Sequence, residues 1–112
     1  MSDAIFDCPA AREIALRTKN DAFAFVRLHI FTQILVMALY PSKAFTDAAA
    51  LSLATGTPQR QCDRVWAICI KHGVLRRDGY GYTARGWLVD NGFIGRYDKT
   101  QCDKAFADAL KG

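Results

Sequence analysis

Basic side chains are concentrated in one stretch of this sequence, between positions 57 and 85. Of the chain's 15 basic and 11 acidic residues, six basic and two acidic residues lie there. The rest of the chain holds nine of each, so the whole formal net charge of +4 lies in this stretch. Localised positive charge displaces counterions from phosphate, so the pattern indicates a surface that binds nucleic acid. The side chains expected at a DNA contact are Gln59, Arg60, Gln61, Arg64, Lys71, Arg76, Arg77 and Arg85.

Three of these side chains have the chemistry needed to read base edges. Gln59, Arg60 and Gln61 lie where a helix is expected to begin, and the N-terminal end of a reading helix approaches the bases. Glutamine suits adenine and arginine suits guanine. Arg64 and Lys71 lie farther along and are expected to contact phosphate. For Gln59, Gln61 and Lys71, a solvated helix face with no partner is an equally open interpretation.

Two arginines and two tyrosines follow this helix, within the segment VLRRDGYGYT. Arg76 and Arg77 are expected to contact the DNA backbone or an adjacent minor groove. Tyr80 and Tyr82 can stack or donate a hydrogen bond. Their spacing on a strand would place both on one side, where packing against the protein is the alternative.

Three residues argue against a surface that reads only DNA. Asp63 lies in the middle of the expected contact face and would repel phosphate, although an aspartate can also accept a hydrogen bond from cytosine. Ile68 and Ile70 lie where reading helices usually carry polar groups, so they need apolar cover. These residues leave a protein-binding role open.

The cysteines and histidines show no metal-binding or catalytic pattern. No C-x-x-C pair, Ser/His/Asp set or phosphate-cradling glycine loop is present. Cys62 and Cys69 are seven residues apart, which places both on one helix face, and we expect them in the core. The sequence therefore predicts neither an enzyme nor a metal or other cofactor. The residues considered are Cys8, Cys62, Cys69, Cys102, His29 and His72.

Local signals predict a helix over 58–72. Thr57 supplies a hydroxyl cap and Pro58 suits the first helical position. Gly73 suits a left-handed C-terminal cap. Three- and four-residue steps place Cys62, Val65, Trp66 and Cys69 on one apolar face.

Short elements are expected on either side of that helix. A helix over 47–54 is expected between Thr46, as N-cap, and Gly56. After the longer helix, the dipeptide 78–79 (Asp-Gly) predicts a tight hairpin turn between two short strands. Thr83 is expected to cap a helix over 84–91, in which Trp87, like Trp66, is expected in the core.

Further helices are predicted near both ends of the chain, over 9–17, 21–40 and 99–110, with a break at 18–20. The apolar stretch 22–40 is interrupted by charged and polar residues, so we expect a central helix or an oligomer interface rather than a membrane span. The sequence shows no basic and apolar leader, which predicts a reducing, cytoplasmic location.

The segments LSLATGTPQRQCDRVWAICIKHGVL and YTARGWLV resemble the winged helix-turn-helix superfamily, in particular its MarR-like and PadR-like regulators. The resemblance covers residues 44–85. It implies a helix-turn-helix over 44–73 and a wing over 74–83. With the N-terminal helices over 1–43 and the C-terminal helices over 84–112 that local signals predict, the expected fold is a mainly helical single domain with a small β-hairpin. The resemblance further implies a small transcriptional regulator that binds double-stranded DNA as a homodimer, with helix 58–72 in the major groove.

The sequence leaves two other interpretations open. The chain can be a phage or mobile-element protein that uses the same fold to bind a host nucleic-acid-binding defence complex, as anti-CRISPR proteins do. It can also be an assembly module in which helix 21–40 and the last helix build an oligomer.

Overall fold

The computed structural model describes residues 8–15, 23–39 and 44–92. Within them the chain is mainly helical with a small two-stranded antiparallel sheet, which confirms the predicted composition of the fold. The predicted helix over 99–110 and the break at 18–20 lie outside the described residues. The elements are α1 (Pro9–Ala15), α2 (Ala24–Leu39), α3 (Ala48–Thr55), α4 (Gln59–Lys71), β1 (Arg76–Asp78), β2 (Gly81–Thr83) and α5 (Arg85–Asp90).

Helix α2 lies at the centre of the fold and packs against α1, α4 and α5. Its buried side chains include Ile30, Phe31, Ile34 and Leu35. The predicted central helix is therefore covered on several sides by its own chain, as its apolar residues on more than one face require. No helix in the described part of the chain is long and apolar enough to cross a membrane.

Helix α3 begins one residue later than the sequence predicted. Asp47, rather than Thr46, is the N-cap, and its carboxylate accepts a hydrogen bond from the backbone N–H of Ala50 at 2.8 Å. A carboxylate at this position also interacts favourably with the helix dipole. The predicted stop is confirmed, because Gly56 adopts a left-handed φ of 67° and its N–H donates to the Ser52 carbonyl.

The predicted N-cap of α4 is also wrong. Pro58 precedes the first helical residue and no side chain caps the helix there, so Thr57 does not act as the predicted N-cap. The Thr57 hydroxyl instead lies 3.0 Å from Cys62 Sγ and also contacts the Thr55 hydroxyl. It therefore joins α3 to α4 from inside the turn.

The end of α4 matches the prediction. Gly73 has a φ of 71°, and its N–H donates to the Ile70 carbonyl at 3.2 Å. The N–H of Val74 donates to the Cys69 carbonyl at 2.8 Å. These two bonds form a Schellman motif, which satisfies carbonyls that the helix itself leaves free.

The buried face of α4 carries the predicted cysteines, since Cys62, Val65 and Cys69 are fully buried. Burial, with a smaller contribution from Cys8, raises the pKa of the Cys69 thiol. Trp87 is buried as predicted, whereas Trp66 is only partly buried at the edge of the core.

A β-hairpin follows α4, with Asp78 paired opposite Gly81. The two turn residues are therefore Gly79, with a φ of 61°, and Tyr80, so the turn lies one residue beyond the predicted dipeptide. No pattern in the sequence indicated that a third backbone segment would pair with this hairpin. Phe45 pairs with Tyr82 through two backbone hydrogen bonds of 2.7 and 2.8 Å.

Helix α5 begins after Ala84, which makes no side-chain cap. Thr83, the predicted cap, lies one residue earlier, and its hydroxyl accepts a hydrogen bond from the Arg85 N–H at 3.3 Å. Leu88 then packs into the core beside Trp87. The hairpin is thereby joined to the core that α2 organises.

Candidate nucleic-acid interface

One face of α4 is exposed along its whole length. Helical geometry places Gln59, Arg60, Asp63, Arg64 and Ala67 on this side, and all five are exposed. The opposite side is buried in the core, so the exposed face is held by rigid packing behind it. We call these five residues the α4 outer face.

Arg60 and Arg64 give the outer face its positive charge. Among residues 8–15, 23–39 and 44–92, neither guanidinium forms an ion pair or a hydrogen bond. They are one helical turn apart, so both point to the same side of α4. Each is therefore available to an anionic partner, with Asp63 between them as the one acidic side chain of the face.

Gln61 does not lie on this face, which corrects its predicted role as a base-reading residue. It is 7% exposed, and its Oε1 accepts a hydrogen bond from Nη1 of Arg27 at 3.2 Å. Gln61 and Val65 are four residues apart and share a helix face, so the buried face includes both. That spacing is the sequence signal that could have identified Gln61 as an inward residue.

Lys71 is exposed but has an acidic partner. Its Nζ donates to Glu13 Oε1 at 3.0 Å, and the same oxygen lies 2.8 Å from Nε2 of His72. The hydrogen bonds from His72 and Lys71 lower the pKa of the Glu13 carboxyl below its ordinary value. The predicted phosphate contact of Lys71 would therefore compete with an ion pair to α1.

The arginines of the hairpin differ in their surroundings. Arg76 forms a short ion pair with Asp90 on α5, and its Nε also donates to the Gly73 carbonyl at 2.9 Å. Arg77 lies over the ring of Tyr82, 5.9 Å from its centroid. Arg77 thus remains at the surface with its charge unneutralised by the residues described, whereas Arg76 holds the hairpin to α5.

Arg85 also makes a structural contact. Its Nη1 donates to the Ala38 carbonyl at 3.2 Å, near the end of α2. Helix C-terminal carbonyls lack partners within the helix, so this bond caps α2 and joins it to α5. Of the predicted cations, Arg60, Arg64 and Arg77 are the ones that the structure leaves most available.

The two tyrosines of the hairpin have different environments, although the sequence suggested a shared side. Tyr80 lies in the turn and is 96% exposed. Tyr82 is partly buried and meets Trp66 edge to face, with 5.6 Å between ring centroids. Tyr82 therefore packs the hairpin against α4, and Tyr80 alone of the pair is free to reach a partner.

Two large apolar side chains are exposed on α3 and α4. Leu53 on α3 is 88% exposed and Ile70 on α4 is 40% exposed. Ile68 packs against the core and finds the cover that the sequence required. The surface around α4 is thus both basic and partly apolar.

The contacts of Glu13 and Arg27 were not predicted from the sequence, because their partners lie far away along the chain. Glu13 contacts a residue 58 positions away, and no local pattern indicates that contact. Arg27 did carry a signal, because a lone cation inside an apolar helix needs a buried partner.

No group of three His, Cys, Asp or Glu residues in the described part of the chain is arranged to hold a metal ion. Comparisons of the chain with protein-family models, with curated proteins and with solved structures found no match. A function for this chain therefore has to be inferred from the geometry of its own residues.

Proposed function

We propose that this chain is a winged helix-turn-helix protein that binds double-stranded DNA. In this proposal α3 and α4 form the helix-turn-helix, and the hairpin of β1 and β2 is the wing. The order of elements supports it, as does the pairing of Phe45 with Tyr82, which holds the segment before α3 against the hairpin. The tight Gly56 turn brings α3 against α4, as a helix-turn-helix requires.

The observation that carries the proposal is the pair of guanidinium groups on the α4 outer face, Arg60 and Arg64, which have no partner among the described residues. In a major groove, Gln59 and Arg60 lie at the end of α4 that approaches base edges, and Arg64 lies where a phosphate passes. Arg77 and the exposed Tyr80 extend the surface along the wing. The role that fits best is a small transcriptional regulator, and a homodimer would place two such helices in successive major grooves.

Fluorescence anisotropy with labelled genomic duplexes, at low and at physiological salt, tests the proposal. We expect binding that weakens steeply with salt, because phosphate contacts release counterions. Arg60→Ala and Arg64→Ala should each weaken binding about tenfold. The matched control is Arg12→Ala, an exposed arginine on α1 whose loss changes the net charge equally. Absence of binding to any duplex at low salt would rule the proposal out.

Light scattering on the same protein tests the homodimer. A dimer in solution supports paired half-sites, whereas a monomer that still binds one duplex copy contradicts them. The mass is to be measured with and without DNA, because some dimers assemble on the duplex.

A second candidate partner for this surface is a protein, such as a host nucleic-acid-binding defence complex. The exposed Leu53 and Ile70 favour it, since exposed apolar groups gain most from a partner that buries them. Leu53→Ser and Ile70→Ser should then abolish binding to the purified partner, while duplex binding is absent from the wild type. Unchanged partner binding in both variants would exclude this surface as the contact.

A further inference from the structure

Arg27 is a cation in the interior of the molecule. It lies on α2, is 1% exposed, and contacts two other helices. Its Nε donates to the Ile14 carbonyl on α1 at 3.4 Å, and its Nη1 donates to Gln61 Oε1 on α4 at 3.2 Å. One side chain therefore connects the end of α1 to the beginning of α4.

Both hydrogen bonds involve polar groups that would destabilise the fold if they were buried without a partner. A buried guanidinium is strongly destabilising unless its N–H groups find acceptors. Ile14 lies in the last turn of α1, where carbonyls lack partners within the helix. Gln61 brings a buried amide that needs a partner of its own. The two hydrogen bonds of Arg27 therefore tie α2 to both α1 and α4.

The first turn of α4 depends on such inside contacts, because its N-cap residue provides no side-chain hydrogen bond. Two successive residues hold the turn from the core side. Gln61 is bonded to Arg27, and Cys62 Sγ lies 3.0 Å from the Thr57 hydroxyl. The residues immediately before them, Gln59 and Arg60, are exposed on the outer face.

We propose that Arg27 and Gln61 are positioning residues for the DNA-facing end of α4. Their hydrogen bond sets the orientation of the first helical turn and thereby the placement of Gln59 and Arg60 against base edges. This inference rests on the DNA-binding function proposed above. The sequence predicted a direct contact between Gln61 and a base. In this inference Gln61 instead acts indirectly, by orienting the first turn of α4 from the core.

The test compares three variants of this pair. Gln61→Leu removes the acceptor, and the double variant Arg27→Met with Gln61→Met replaces the polar pair by apolar side chains of similar length. Replacing both partners of a buried hydrogen bond by apolar groups of similar shape often preserves stability, although the Ile14 carbonyl loses its bond to Arg27. Gln61→Glu keeps an acceptor for Arg27 and is the conservative rescue. Thr32→Val is the matched control, because it removes a buried hydroxyl that bonds within α2 at 2.9 Å.

The first readout is sequence preference, the ratio of the Kd for random duplex to the Kd for a duplex selected by the wild type. Gln61→Leu and the double variant should lower this ratio about tenfold, with random-duplex binding changed less than about twofold, because phosphate contacts remain while base contacts are misplaced. Gln61→Glu and Thr32→Val should keep the wild-type ratio. A direct base contact by Gln61 predicts the opposite for Gln61→Glu, which would alter base preference.

The second readout does not need DNA. Native-state hydrogen exchange should show the amides of Gln61 and Cys62 exchanging about tenfold faster in the double variant, with the end of α4 unchanged. A folded double variant that retains both the wild-type preference and the wild-type exchange rates overturns the inference. If the wild type binds no duplex, the DNA-binding proposal fails, and the exchange rates still decide whether this pair orders the turn.

Discussion

Asp47 and Thr46 are adjacent residues of similar capping chemistry, and the structure assigns the cap to Asp47. Its carboxylate satisfies the Ala50 N–H, whereas Thr46 is exposed before the helix. Asp47→Ala should therefore lower the free energy of unfolding by about 1 kcal/mol. Urea denaturation followed by circular dichroism measures this loss.

Thr46→Ala is the control for that measurement. A surface substitution away from a cap should change the free energy of unfolding by less than about 0.5 kcal/mol. If Thr46→Ala lowered the free energy of unfolding more than Asp47→Ala, the N-cap would be Thr46, as the sequence predicted.

Among the elements, the hairpin meets the segment before α3 at very close range. A Cβ added at Gly81 would lie 2.8 Å from the Phe45 carbonyl oxygen, which belongs to the backbone pairing with Tyr82. Gly81→Ala should therefore push the hairpin away from the segment that contains Phe45. The expected loss in the free energy of unfolding is about 1–3 kcal/mol. The free energy of unfolding in urea checks this expectation.

Gly86→Ala is the matched substitution for Gly81→Ala. Its added Cβ would lie 3.5 Å from the flexible end of Arg76, an ordinary contact, and the position is helical. Because alanine restricts the unfolded chain more than glycine does, this variant should be stabilised by up to about 1 kcal/mol. Equal losses at both glycines would show that the close approach at Gly81 does not matter.

Helices α1 and α4 are joined at one end by Glu13, and this contact should depend on pH. The pKa of Glu13 is lowered in the folded state, chiefly by its hydrogen bonds to His72 and Lys71. A lowered carboxyl pKa stabilises the fold above the unfolded value of about 4.3, and the benefit is lost as pH falls through the folded pKa. The stability difference between wild type and Glu13→Gln should thus be present at neutral pH and vanish in acid.

Urea titrations of both proteins between neutral and acidic pH measure that difference. Because the contact is at the surface, added salt should reduce it at neutral pH. A stability difference that is independent of pH would mean that the Glu13 carboxylate charge contributes nothing to holding α1 on α4.

The helices and the hairpin could be predicted because their signals are local. Gly56 marks the end of α3, and Pro58 and Gly73 mark the two ends of α4, each within a few residues of the boundary. The site was less predictable, because the availability of each cation depends on tertiary partners. Lys71, Arg76 and Arg60 are cations that the sequence does not distinguish. Among the described residues, Lys71 and Arg76 each pair with a carboxylate, whereas Arg60 does not. Similarly, the pairing of Phe45 with Tyr82 spans α3 and α4, so no short pattern indicates it.

At the scale of the whole molecule, one core joins residues from every described helix and from the hairpin. Cys69 is fully buried within it, so its thiol meets water only when the core opens. Burial raises the pKa of this thiol in the folded state. In the unfolded chain Cys69 therefore loses its proton at a lower pH than in the folded protein, near pH 8.5. The stabilising contribution of neutral Cys69 is complete below that pH and is lost as pH rises towards the folded pKa.

Comparison of the wild type with Cys69→Ala tests whether this core unfolds as one cooperative unit. The stability of the wild type relative to the variant should be constant below about pH 8 and then fall by up to about 1.4 kcal/mol per pH unit. Urea titrations across this range give the difference, and thiol labelling should modify Cys69 only at the rate of global unfolding. Fast labelling under native conditions, with no alkaline loss of relative stability, would show that α4 separates from the core without unfolding the rest. In that case the packing behind the α4 outer face would not be rigid enough to present Arg60 and Arg64 in fixed positions.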